Sequence, residues 1–366
     1  MPDYDQLAAF LKADPDNAAL IADMARAALD AGRADEAAAL AARHRALAGP
    51  TPAMDHVAGL AAMAAQDWPA ATTAFRNLLD KGVDQPAVRY NLAWSLMMTG
   101  DKDAALASLD DDTAHHIPQA AQLLVGLLHE RGEMERAEAV ARNAVARFPD
   151  HRGLNAAVST LAIDLADLDL ARETAARAGG HPEALVTQAT LALEEDNIAD
   201  AGALFEAALT RHPDSPRALV GRGLVALASD RRTDALADLD RGAALFGTHL
   251  GSWIAAGWAH VLAGDTDAAR ERFERAAAID DSFAEAHGSL AVLDLMAGDA
   301  AAGQQRTAIA QRLDRESFSG ALAAAMLAAG GGDRDRAERI VTLALSTPID
   351  GQGRTIGQAL TRLGAF

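Results

Sequence analysis

The chain of 366 residues contains no cysteine. That excludes a disulfide framework, a thiolate nucleophile and any zinc site built on Cys. Lysine is almost missing, occurring only as Lys12, Lys81 and Lys102. Lys plus Arg total 33 against 52 Asp plus Glu, a formal charge of -19. Nucleic acid and anionic membrane surfaces both demand neutralising cations, so no nucleic acid is expected as a partner. No apolar run approaches the roughly 18 residues needed to span a bilayer, so no membrane insertion is expected. The start Met1-Pro2-Asp3-Tyr4-Asp5 lacks the basic region and apolar core of a secretory signal, and a cytoplasmic location is expected. Aromatic residues make up only 4%. What is present in quantity is apolar: 50% of the chain is hydrophobic, too much for a disordered protein. Alanine alone is about a quarter of the residues. Together with the excess of Arg over Lys, this points to a bacterial source.

The alanines recur in phase. Gly, or a near equivalent, precedes an Ala by five positions at Gly32 and Ala37, Gly100 and Ala105, Gly132 and Ala137, Gly264 and Ala269, and Gly332 and Ala337. Alignment on that Ala gives ten units starting at Ala18, Pro52, Pro86, Pro118, Arg152, Pro182, Pro216, Leu250, Ala284 and Phe318. Each reads as helix, turn, helix. Pro opens five of them, where its missing N–H costs nothing. Gly at unit position 15 suits a left-handed helix end, and Asp after it suits a cap. Position 8 is small in nine units, with Val125 the exception, and position 20 is Ala in nine, with Gly303 the exception. Small residues there let helix backbones approach closely.

The unit resembles the tetratricopeptide repeat. The resemblance rests on the small residue at 8, Ala at 20, large residues at 24 (Phe75, Phe205, Phe273), Ala at 27 (Ala144, Ala208, Ala276), Pro at 32 (Pro149, Pro213) and Trp253 at position 4. It implies an all-α, right-handed superhelical α-solenoid over residues 18–351, with capping helices at 1–17 and 352–366. The register shortens twice, and the second helices of units 3 and 5 are expected to be truncated near Asp110-Asp111-Asp112 and Gly179-Gly180. The first of these stretches reads as a solvated loop.

Catalytic signals are missing: no phosphate-binding loop, no dinucleotide fingerprint, no zinc-protease motif and no spaced nucleophile and base. Neither an enzyme, nor a metal site, nor a cofactor is expected. Asp110 to Asp112 with His115 and His116 lack the ligand spacing of a metal centre. His260 and His287 fall at packing positions and read as satisfied core histidines.

Helical geometry locates a second face. At about 100° per residue, first-helix positions 2, 5, 9, 12 and 13 share one side, away from the unit's own second helix. In the family this face lines the concave groove that takes partner peptides. Here it carries His56, Leu60 and Met63 in unit 2, and Tyr90, Trp94, Met97 and Met98 in unit 3. His129 follows in unit 4, and Ile254, Trp258 and Val261 in unit 8. An apolar stripe with Met and Trp suits an adaptable protein-binding surface. The competing reading is that these residues belong to the core. Arg26, Asn91 and Arg217 are too scattered for the carboxylate clamp that some of these repeats carry.

The expected function is a non-enzymatic scaffold or adaptor that binds a protein or peptide partner in this groove. Two others stay open. One is an accessory subunit that docks an enzyme such as a glycosyltransferase, a hydroxylase or a secretion factor. The other is a peptide or small-ligand sensor. Exposed apolar groove residues leave a homodimer open as well.

Overall fold

A computed structural model describes residues 4–347 together with Thr355, Gly357 and Gln358. The described residues form 22 helices, in two compact units, Met1–Leu161 and Ala162–Phe366. The architecture is all-α, built from helix–turn–helix repeats.

The first unit opens with α1 (Tyr4–Ala13), followed by the pairs α2 (Ala18–Asp30) and α3 (Ala34–Ala48), then α4 (Pro52–Ala64) and α5 (Trp68–Asp80). Next come α6 (Pro86–Met98), α7 (Lys102–Ser108) and α8 (Asp111–His116), then α9 (Pro118–Glu130) and α10 (Met134–Arg147). Helix α11 (Arg152–Asp164) contains the division between the units. The second unit continues with α12 (Leu168–Ala178), α13 (Pro182–Glu194), α14 (Ile198–Arg211), α15 (Pro216–Ala228) and α16 (Arg232–Phe246). It ends with α17 (Leu250–Ala263), α18 (Thr266–Ile279), α19 (Ala284–Met296), α20 (Ala300–Leu313), α21 (Phe318–Gly330) and α22 (Arg334–Leu345). Helix α1 buries Leu7 against the first repeat, and the Tyr4 hydroxyl donates to Glu36 at 2.6 Å. The segment 352–366, expected as a C-terminal cap, lies outside the described residues apart from Thr355, Gly357 and Gln358.

The turn inside each repeat has one backbone solution. Unit position 15 takes a φ between 55° and 85° in all ten repeats, including the four where it is not glycine: Gln66, Ala166, Asp196 and Asp230. The next residue caps the second helix wherever it is Asp or Asn. Asp67, Asp101, Asp167, Asn197, Asp265, Asp299 and Asp333 each accept from the backbone N–H three residues on. A side chain in the left-handed region is strained by roughly 1 kcal/mol, least for Asp and Asn, whose side chains bond locally. Ala166 has no such compensation. Ala166→Gly is therefore expected to raise stability by about 0.5 kcal/mol, after the extra freedom of glycine in the unfolded chain is subtracted. Thermal unfolding checks this, and a lower melting temperature would contradict the strain argument.

Between the two helices of a repeat, positions 8 and 24 exchange volume. Gly59 leaves room for Phe75, Gly223 for Leu239 and Gly257 for Phe273. A methyl placed on these glycines would stand 2.8 Å from Phe75 Cζ, 2.7 Å from Leu239 Cγ and 2.6 Å from Phe273 Cδ1. All three large partners are fully buried. Val125, the one bulky residue at position 8, is matched by the small Ala141 at position 24 of its own repeat, and both are buried.

The two shortened second helices are found: α7 has 7 residues and α12 has 11. The stretch after α7 is not the loop expected from sequence but the short helix α8. Asp110 accepts from Thr113 N at 2.7 Å as its cap. Asp111 and Asp112 occupy the first turn and His115 and His116 the last. The aspartates in the first turn complement the helix dipole, so residues that suggested a solvated break stabilise a helix.

Candidate partner-binding faces

Each candidate residue falls on the first helix of a repeat. Three groups lie in the first unit: His56, Leu60 and Met63 on α4, then Tyr90, Trp94, Met97 and Met98 on α6, then His129 on α9. Ile254, Trp258 and Val261 lie on α17 in the second unit.

The α6 group is the most open. Trp94 is 36% exposed and Met98 46%. Tyr90 and Met97 are half-buried, and the Tyr90 ring lies tilted against Trp94 with centroids 6.3 Å apart. Burial raises the Tyr90 hydroxyl above its ordinary pKa. The α4 group sits deeper. The His56 ring meets the buried Phe75 edge-on at 6.1 Å, and burial lowers its pKa. Leu60, Met63 and His129 are half-buried.

The α17 group belongs to the margin of the core. Ile254, Trp258 and Val261 pack on the cluster of Ala269, Phe273, Leu290 and Leu293. Trp258 lies 5.7 Å from the Phe273 ring and also packs on Val292 and Ala323. Leu262 on α17 and Met296 on α19 are 46% and 52% exposed.

The charged groups are spent on holding helices together. Asp55 on α4 is buried, and it receives Arg45 from α3 at 2.6 Å and Lys81, just past α5, at 2.6 Å. Burial acts to raise its pKa, but the hydrogen bonds from Lys81 and Arg45 outweigh it and hold the carboxyl below its usual range. Asp294 on α19 likewise receives Arg270 at 2.8 Å and Arg306 at 2.9 Å. His260 is buried against Asp240 at 3.1 Å, and Arg272 binds the same carboxylate. His287 is half-buried, its Nε2 2.7 Å from the Asp281 carbonyl. Of the residues that a carboxylate clamp would use, Arg26 pairs with Asp23 and Arg217 with Asp164. Among the described residues no group of three His, Cys, Asp or Glu could hold a metal ion, and no helix is long and apolar enough to cross a membrane.

One feature escaped the sequence reading. Helices α8 and α10 line a cleft of about 700 Å³ that includes His115, Arg136, Asn143 and Arg147. Its only sequence signal is the shortened register after Pro86.

Repeated helix pairs of this size, with small-residue contacts within each pair, define an α-helical repeat protein. A family model described as tetratricopeptide repeat matches residues 56–121 and 186–248, and the chain carries tetratricopeptide repeats over those stretches. Such repeats generally mediate protein–protein interactions. Two solved structures of monomeric mutants of IFIT1 have the same fold at 11% identity, each covering 90% of both chains. One, with Gppp-AAAA, has a TM-score of 0.52, and the other, with m7Gppp-AAAA, 0.53. PilF of Pseudomonas aeruginosa aligns over 57% of this chain and 96% of its own, at 18% identity and a TM-score of 0.45. No curated protein matches in sequence.

Proposed function

We propose that this chain is a non-catalytic interaction scaffold that binds a segment of a partner protein on the first-helix face of its first compact unit. The observation that carries the reading is Trp94 with Met98. These are two large apolar side chains left open on one helix face, beside the half-buried Tyr90, in a chain with only six Trp and Tyr residues. Large aromatic and Met side chains are the commonest energetic centres of protein interfaces. Leu60, Met63, Met97, His56 and His129 extend the surface around them. Ile254, Trp258 and Val261, half-buried on α17, form a separate contact face of the second unit in this reading. The charge of -19 favours a protein partner over nucleic acid, so the ligands of the IFIT1 structures do not transfer. The alanine and arginine bias fits a bacterial source.

The test is the double substitution Trp94→Ala with Met98→Ala. Affinity capture from the native cell is expected to lose the partner, while helicity is kept and stability falls by no more than about 1 kcal/mol, as for exposed positions. If the double variant unfolds, Trp94 is part of the core and the reading fails.

A further inference from the structure

Helix α17, which carries Ile254, Trp258 and Val261, begins on a cap of unusual chemistry. The first helices α2, α4 and α15 are capped by side-chain oxygens of Asn17, Thr51 and Ser215, none of which changes charge near neutral pH. At α17 the cap is an imidazole. His249 Nδ1 accepts the backbone N–H of Ser252 at 3.1 Å, and Ser252 Oγ donates back to the His249 carbonyl at 2.7 Å. Ser252 is buried. The His249 ring lies against the Phe246 ring, with centroids 4.8 Å apart.

A ring nitrogen accepts a hydrogen bond only while it carries no proton. The bond to Ser252 therefore requires the neutral imidazole, with its one proton on Nε2. Protonation changes two things at once. It sets an N–H against the N–H of Ser252 and takes the acceptor from a buried residue. It also places a positive charge at the end of the helix where the dipole is already positive. The charged groups that face the ring come from two other first helices. Arg217 on α15 donates to both oxygens of Asp164 on α11, at 3.2 and 2.6 Å. Desolvation first, and the Arg217 cation second, hold the His249 pKa below its ordinary 6.5, while Asp164 acts the other way. As pH falls, the unfolded chain thus takes up this proton before the folded one. The contribution of the neutral ring is complete above the ordinary imidazole value and is lost as pH falls through the folded value.

We propose that His249 is an acid-sensitive cap of α17. In its neutral form it holds the first turn, and once protonated it releases that turn. Ile254 stands two residues beyond Ser252, so the release loosens the face that α17 presents in the second unit. The device acts within the fold and does not depend on the role proposed for Trp94.

The test follows amide exchange by NMR in the full, isotope-labelled chain at about pH 7.5 and about pH 5, on either side of the imidazole range. Protection is corrected for the intrinsic effect of pH on exchange. The Ser252 amide of the wild type is expected to lose about three- to tenfold of its protection at the lower pH, the size of effect that a lost helix cap brings. The Leu20 amide, held by Asn17 at 3.1 Å, is the control and is expected to change by less than about twofold. His249→Asn supplies a cap that does not titrate, and is expected to keep Ser252 protected at both pH values. His249→Phe supplies no acceptor, and at the higher pH is expected to show the low protection that the wild type reaches only in acid. Far-UV circular dichroism checks that each variant is folded. The proposal is overturned if the wild type keeps its Ser252 protection in acid. It is equally overturned if His249→Asn loses as much as the wild type, which would assign the response to another titrating group. Full protection of Ser252 in His249→Phe at the higher pH would show that the ring is not the cap.

Discussion

Phe273→Ala is expected to destabilise the second compact unit by about 3–5 kcal/mol, the cost of emptying a fully buried aromatic site. Phe273 has no exposed surface, and it fills the space that Gly257 leaves on the facing helix. Gly257→Val alone is expected to cost about 1–3 kcal/mol, because its side chain would meet that ring. The double variant is the informative one. It reproduces the arrangement that the fourth repeat already has, with Val125 at position 8 and Ala141 at position 24. The two substitutions are expected to compensate by about 1–3 kcal/mol when compared in denaturant unfolding. Strict additivity would show that the two positions do not share one volume.

Gly288→Ala is expected to cost about 3 kcal/mol or more. Here the neighbour is backbone, not a ring that can turn. A methyl at Gly288 would overlap the amide nitrogen of Gly320 and stand 2.6 Å from the carbonyl carbon of Ser319 and 2.9 Å from its Cβ. Helices α19 and α21 would have to separate. The separation would break the bond from Ser289 Oγ to Ser319 Oγ at 3.1 Å. It would also release the amides of Phe318 and Ser319 from the Glu285 carboxylate, now at 2.7 and 3.1 Å. Loss of hydrogen-exchange protection at these two amides, together with the drop in stability, is the expected signature. Gly303→Ala is the control, since the group its methyl would meet is the flexible side chain of Leu295, and a smaller loss is expected. A Gly288→Ala loss below about 1 kcal/mol would mean that the two helices can move apart freely.

The helical organisation could be read from sequence because it is written in short-range terms: a proline at the first turn, a glycine at the reversal, an acceptor after it, and small residues at fixed spacing. Where those signs disappear, the structure keeps the geometry. Gln66 and Ala166 adopt the left-handed turn without glycine because the hydrogen bonds closing the turn, such as Asp167 N to the Ala162 carbonyl at 2.9 Å, outweigh the strain. Helix α8 was missed because three consecutive aspartates were read as a solvated loop, not as a cap and a first turn. The face carried by α4 and α6 was legible in outline, since angle alone places Tyr90, Trp94 and Met98 together. Angle could not distinguish the openness of Met98 from the core packing of Trp258, because that depends on which neighbour covers each helix. The α8–α10 cleft was not legible at all, since it arises from a pairing between elements of successive repeats.

The Phe205 ring lies over Gly221, a residue of the following repeat, so closely that any side chain there would overlap it. Sequence periods therefore do not coincide with the pieces that can be cut out or exchanged. Excising residues 216–249 would bring Ala255 to the register now held by Gly221, where its methyl would meet the ring. A chimera joined at Pro216 inherits the same requirement. Recombination among such arrays is constrained by what the last aromatic of one period demands of the next, and viable junctions belong inside a helix pair and not at its conventional edge.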